Sequence, residues 1–183
     1  MKVIEQEIHS LKNSISEMWA LVHQQLYNAG EAMLTGDKEL AYKVISRERR
    51  VNAFELKIDS DCEDIIALYA PVAIDLRFVL AMYKINTNLE RLGDFAESIA
   101  RFAGNLPEGE PIDPQLVKET RVEEMLSELL SMISLTKEAF EKESSEIASR
   151  IFLKDNLIDE INHNSTAIIA KYIEEHKGSA LAG

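Results

Sequence analysis

Glu90 and Asp94 stand four positions apart in "NLERLGDFAESIARFA", residues 88–103, and Glu97 follows three positions later. On a helix, residues at i and i+4 lie one turn apart on the same face, so a pair of carboxylates at that spacing can chelate one cation. A second acidic set lies upstream. At 100° per residue, Glu48, Asn52, Glu55 and Asp59 fall within about 60° of one another and form a polar ridge beside the apolar line of Val51, Phe54, Ile58 and Ile65. Oxygen-rich, histidine-free ligation suits hard cations such as Mg²⁺, Ca²⁺ or Mn²⁺, and multinuclear iron also uses bridging carboxylates. If the two helices pack side by side, their ridges meet. Like charges converging there cost free energy and raise carboxylate pKa values unless a cation sits between them. The alternative is a solvated edge, because acidic pairs at helical spacing are ordinary surface in an acidic protein.

Other residue types offer less. Cys62 is the only cysteine, so the chain has no internal disulfide and no CxxC or Cys/His cluster for zinc. Cys62 reads as a small buried or half-buried residue of the second helix. Glu160 and His163 have the i, i+3 spacing used in di-iron carboxylate bundles, but those sites need two such pairs and two further glutamates. His9, His23 and His176 read as surface or edge residues, and Trp19 as packing. No glycine-rich phosphate loop, GxSxG or nucleophile–base pair is present. A net charge of −12 opposes phosphate backbones and anionic lipid heads, which argues against nucleic acid as a partner.

Long helices must position these groups. Apolar residues Ile4, Ile8, Leu11, Ile15, Met18 and Val22 recur in steps of three and four, which predicts one long amphipathic helix ending at Gly36. Asp37 is placed to cap a second helix over 38–69, and Pro71 ends it. A third helix is expected from about Leu76 to Phe102, with Asp75 as its cap. The linker "GNLPEGEPID", residues 104–113, follows. From Asp113-Pro114 the pattern restarts as an ungapped repeat at an offset of 107 residues. Met18 then matches Met125, Ala32 matches Ala139, Ala41 matches Ala148 and Val51 matches Ile158. Asp37 corresponds to Ser144, and Glu48 and Asn52 to Asp155 and Asp159. A second copy of the third helix would map beyond Gly183, so the second unit is expected to have two helices and an apolar groove where a third would pack, from either a truncated chain or a groove filled by a neighbouring molecule. No run approaches the roughly 18 apolar residues of a spanning helix, and the N-terminus has no continuous hydrophobic region for a secretory signal. A reducing cytoplasm is the expected setting.

The segment "APVAIDLRFVLAMYKINTNLERLGDFAESIARFA" resembles the signature of the PhoU family of phosphate-signalling proteins. Pro71, Asp75, Leu76 and Arg77 match its Pro and Asp-Leu-Arg elements. Glu90, Arg91, Leu92, Gly93, Asp94 and Ala96 match its E-R-[IL]-G-D-x-A motif. Upstream, "VISRERRVNAFELKID" is similar to its second-helix pattern. The resemblance implies an all-α fold of tandem three-helix bundles, here with a first bundle over 1–103, a linker over 104–113 and an incomplete second bundle over 114–183.

It also implies metal ions, as multinuclear iron or, alternatively, Mg, Ca, Mn or Zn. Their ligands would be Glu48, Glu90 and Asp94 with Glu55 and Asp59 in the first bundle, and Asp155 and Asp159 in the second. Asn52 stands where the family usually has Asp, and the second bundle has no ERxGD partner. In function, the resemblance implies a non-enzymatic cytoplasmic homodimer that restrains phosphate uptake and phosphate-starvation signalling. Its partners would be a phosphate ABC transporter ATPase and a sensor histidine kinase, with membrane contact only through them. Other readings are the cytoplasmic PhoU-like domain of a sodium/phosphate cotransporter, a carboxylate-bridged metalloenzyme, and a helical scaffold without metal.

Overall fold

The computed structural model describes residues 3–107 and 112–176. Among them are α1 (Val3–Thr35), α2 (Lys38–Tyr69), α3 (Ala73–Asn105), α4 (Pro114–Thr120), α5 (Val122–Glu141) and α6 (Ser145–His176), with no strand. The first three helices up to Asn105, without Met33–Thr35, form one compact unit; Met33–Gly36 and the described residues from Leu106 onward form a second. Among the described residues, no helix is long and apolar enough to cross a membrane.

In the first unit, the apolar period of α1 becomes a buried stripe of Leu11, Ile15, Met18, Val22, Leu26 and Ala29, with Trp19 beside it. Gly36 turns the chain at a φ of 71°, a left-handed conformation that glycine adopts without a Cβ clash. Asp37 then caps α2, its carboxylate accepting from the Leu40 amide at 2.9 Å. Gln25 Nε2 donates to the Val44 carbonyl at 2.8 Å, and Lys57 Nζ donates to Ser14 Oγ at 3.1 Å, which sets α2 antiparallel to α1. Val44, Val51, Ile58 and Ile65 are buried as their period requires, while Leu40 and Phe54 are half-buried.

Pro71 disfavours helix at the residue before it, and Ala70 turns left-handed at a φ of 43°. α3 begins at Ala73, itself at a φ of 50°, and runs to Asn105, longer at both ends than its pattern suggests. Asp75 is not its cap but lies inside the first turn, its amide donating to the Val72 carbonyl at 3.2 Å. A negative charge there still complements the helix dipole.

The second unit repeats the first unit's turn chemistry. α6 starts and ends at the positions that correspond to the ends of α2, and the Ser144 hydroxyl accepts from the Ile147 amide at 3.2 Å as Asp37 does from Leu40. Glu143 takes the left-handed place of Gly36 at a φ of 51°. The counterpart of α1, however, is broken. Arg121, at the position of Ser14, turns left-handed at a φ of 54° and separates α4 from α5. Its guanidinium bonds Glu124 of α5 at 2.8 and 3.0 Å and Glu160 of α6 at 2.9 Å, so the break is tied to the two helices that follow it. The described part of this unit therefore has three helices where two are expected from the pattern. Its buried apolar residues are few, with Ile133, Ala139 and Ile161 inside, and Phe152, Leu153, Ile169 and Ile173 remain exposed on α6.

Candidate metal centre

The two acidic ridges lie on the paired helices α2 and α3, and the reason they approach closely is a glycine. A Cβ on Gly93 would stand 2.8 Å from Val51 Cγ1, a distance that two carbon atoms do not tolerate. The glycine of the ERLGD segment is thus the notch into which the valine of α2 fits. Glu90 and Asp94 flank that notch on α3, while Glu48, Asn52 and Glu55 flank the valine on α2.

The ridges meet electrostatically. Glu48 is held above the ordinary carboxylate range, chiefly by partial burial and then by the charges of Glu97 and Asp94 on α3; a hydrogen bond with Asn52 and the charge of Arg101 act against this. Glu90 is also raised, first by burial and then by Asp94, Glu55, a hydrogen bond shared with Asp94, and Glu48. Burial and neighbouring like charge thus oppose full ionisation of the seam, and a cation placed there would favour it. Arg101 cannot serve alone, because its guanidinium is paired with Glu97 at 2.6 Å.

Asp59, at the far end of the α2 ridge, is fixed by a residue that the acidic pattern does not include. Asn86 of α3 is completely buried, and its Nδ2 donates to Asp59 Oδ1 at 2.7 Å and to the Glu55 carbonyl at 2.9 Å. These two bonds fix the amide's orientation, which leaves Asn86 Oδ1 buried with no hydrogen-bond partner. One signal in the sequence could have found it. Asn86 occupies a core position in the period Met82, Asn86, Leu89, Gly93, Ala96, where a polar residue needs a reason to be buried. Glu97, left out of the ligand set, is the first charge that Glu48 meets. Cys62 is buried against α3, with Sγ donating to the Val79 carbonyl at 3.9 Å and the thiol pushed up to about 12, chiefly by burial. It is inert packing.

Asp155 and Asp159 lie exposed on α6 in the second unit. Lys154, just before them, pairs with Glu128 at 2.8 Å, and Glu160, just after them, is engaged by Arg121, so the Glu160 of the Glu160–His163 pair already has a cationic partner. His163 is exposed, and His176 stacks on Tyr172.

As the side chains stand, no three carboxylate, imidazole or thiol groups among the described residues close on one point in the manner of a formed metal site. Chelation at the roughly 2.0–2.6 Å of a metal–oxygen bond would need rotation of Glu48, Glu55 and Glu90, which are only half-buried and have room to turn. The donor set is carboxylates from two helices with the Asn52 amide, which fits a hard or borderline cation and not a thiolate-type zinc site.

Two helical units with a carboxylate seam on the better-packed one define an all-α helical-bundle protein. The comparisons make the class particular. Residues 15–103 match the PhoU domain. The chain is 33% identical over 171 residues to the phosphate-specific transport system accessory protein PhoU homolog of Aquifex aeolicus, covering 92% of this chain and 75% of that protein. Its fold is similar to the phosphate transport system regulatory protein PhoU from Streptococcus pneumoniae, with a TM-score of 0.83, 28% identity and coverage of 94% and 79% of the two chains. It is also similar to PhoU from Pseudomonas aeruginosa, with a TM-score of 0.86, 27% identity and coverage of 93% and 80%. The chain belongs to the PhoU family, whose members are regulatory accessory proteins of phosphate transport and not enzymes.

Proposed function

We propose that this chain is a metal-binding regulator that restrains phosphate uptake and phosphate-starvation signalling from the cytoplasmic side, through a phosphate ABC transporter's ATPase and a sensor kinase. The observation that carries the reading is the convergence of Glu48 and Glu55 from α2 with Glu90, Asp94 and Glu97 from α3, within a member of a family of phosphate transport accessory proteins. Glu48, Glu90 and Asp94, with Glu55 and Asp59, would hold the cation, Asp59 being fixed at the end of the ridge by Asn86. A bound cation, iron or another oxygen-seeking metal, supplies positive charge that lets the seam ionise fully. Asp155 and Asp159 supply half of a comparable set on α6.

The test joins metal content to partner binding. Protein purified without chelator and reconstituted with Fe²⁺ should hold stoichiometric metal, and the Glu90→Ala/Asp94→Ala variant should lose most of it while keeping its helical circular dichroism. The same wild-type preparation should bind the purified transporter ATPase. Absence of stoichiometric metal after reconstitution removes the metal from the reading, and failure to bind both ATPase and kinase removes the regulator.

A further inference from the structure

The hydrogen bonds that set the register of the first unit also decide what gathers at its ends. Ser14 of α1 lies level with Lys57 of α2, and eleven residues further out Val3 comes level with Leu68. Glu55 and Val79 take their partners Asn86 and Cys62 across the α2–α3 pair, so the end of α2 and the start of α3 lie at that same end. There the surface is apolar. Leu68 is 71% exposed, Val72 74% and Ile74 78%, and Val3, Ile66 and Tyr69 are exposed around them. Monomeric proteins rarely leave large aliphatic side chains gathered in this way without a use. The backbone carrying them is held at left-handed φ by two alanines, Ala70 and Ala73, a conformation that costs free energy for any residue with a Cβ.

The rim is acidic. Among the described residues, Glu5 on α1 and Glu63 and Asp64 on α2 are exposed and Asp75 is half-buried on α3, against an exposed Arg77, while the nearby Lys57 and Asp61 neutralise each other in an ion pair. Such a rim repels an anionic lipid leaflet and attracts a basic protein face.

We propose that this end of the first unit is a protein-docking tip, in which Leu68, Val72 and Ile74 enter an apolar hollow on a partner whose rim is rich in lysine and arginine. The choice of probe rests on the function proposed above, under which that partner is the transporter ATPase. The tip is separate from the carboxylate seam, so its variants should leave metal content unchanged.

The experiment measures the affinity of the full chain for the purified ATPase. Leu68→Ser/Val72→Ser/Ile74→Ser should weaken binding about tenfold or more, as expected when central apolar anchors are truncated. Glu63→Lys/Asp64→Lys should weaken it roughly threefold at low ionic strength, with the difference closing in high salt. Both variants carry substitutions at exposed positions and should keep the wild-type circular dichroism and metal content. Wild-type binding that survives the triple substitution overturns the tip and leaves the regulator intact. Wild-type protein that does not bind the ATPase at all overturns both. Sedimentation of wild type, but not of the triple variant, with phosphatidylcholine/phosphatidylglycerol vesicles would make the tip a lipid surface and overturn the inference.

Discussion

Asn86 ties the seam to the core through two donated hydrogen bonds, while Glu90 stands one turn further along with its carboxyl held above its ordinary value of 4.5 by burial and then by Asp94. The sign of that shift has a measurable outcome. Between the unfolded and folded pKa values the native state binds more protons than the unfolded one, so this group's contribution to stability falls as pH rises from 4.5 through the folded value. In chelator-treated protein, Glu90→Gln should therefore raise the melting temperature at pH 7, and the gain should shrink near pH 5. Metal should reverse the order at pH 7, favouring wild type. A variant that melts below chelated wild type at pH 7 would contradict the account. The acidic pairs themselves were legible as a seam, because i, i+4 spacing and two ridges suffice to suggest it. Asn86 was not, since an asparagine in an apolar period announces only that something polar is buried.

At the scale of the helix pair, Gly93 decides how near the ridges come. Gly93→Ala would gain roughly 1 kcal/mol of helix propensity but must push Val51 aside in a packed core, a displacement that typically costs 1–3 kcal/mol. The expected net loss is about 1 kcal/mol in denaturant unfolding, with metal content lowered as the ridges part. Adding Val51→Ala should restore part of the metal content by giving the new methyl room, although it opens a cavity of its own. If the single substitution is neutral in both readouts, the notch has no role. Helix starts and stops with side-chain chemistry were legible. Asp37, Ser144 and Asp113 each accept from an amide in the first turn they cap. The break at Arg121 was not, because no glycine or proline marks it. It is held by Glu160, which lies 39 residues away in the chain and is unrelated to any local pattern.

Across the molecule, the two units are unequal. The first buries long apolar stripes on each of its helices, whereas α5 and α6 together bury only Ile133, Ala139 and Ile161. Opening free energy follows buried apolar contact, so amides of α5 and α6 should exchange with deuterium faster than those of α1, α2 and α3 at neutral pH. Equal protection of the two units would show that something other than the packing described here holds the second. The duplication was legible from matched small residues and turns, but the imbalance of the cores depends on which faces meet, and periodicity is silent on that.

The fit of Val51 into Gly93 has one more consequence. Sliding α3 along α2 by a turn, about 5.4 Å, would set Leu89 or Glu97 against the valine in place of hydrogen. The joint is keyed against such a slip. A cation arriving in the seam or leaving it would accordingly turn carboxylates and alter the electric potential along the flank while the register of the two helices stays put, so a partner that senses occupancy there would read voltage more than backbone shape.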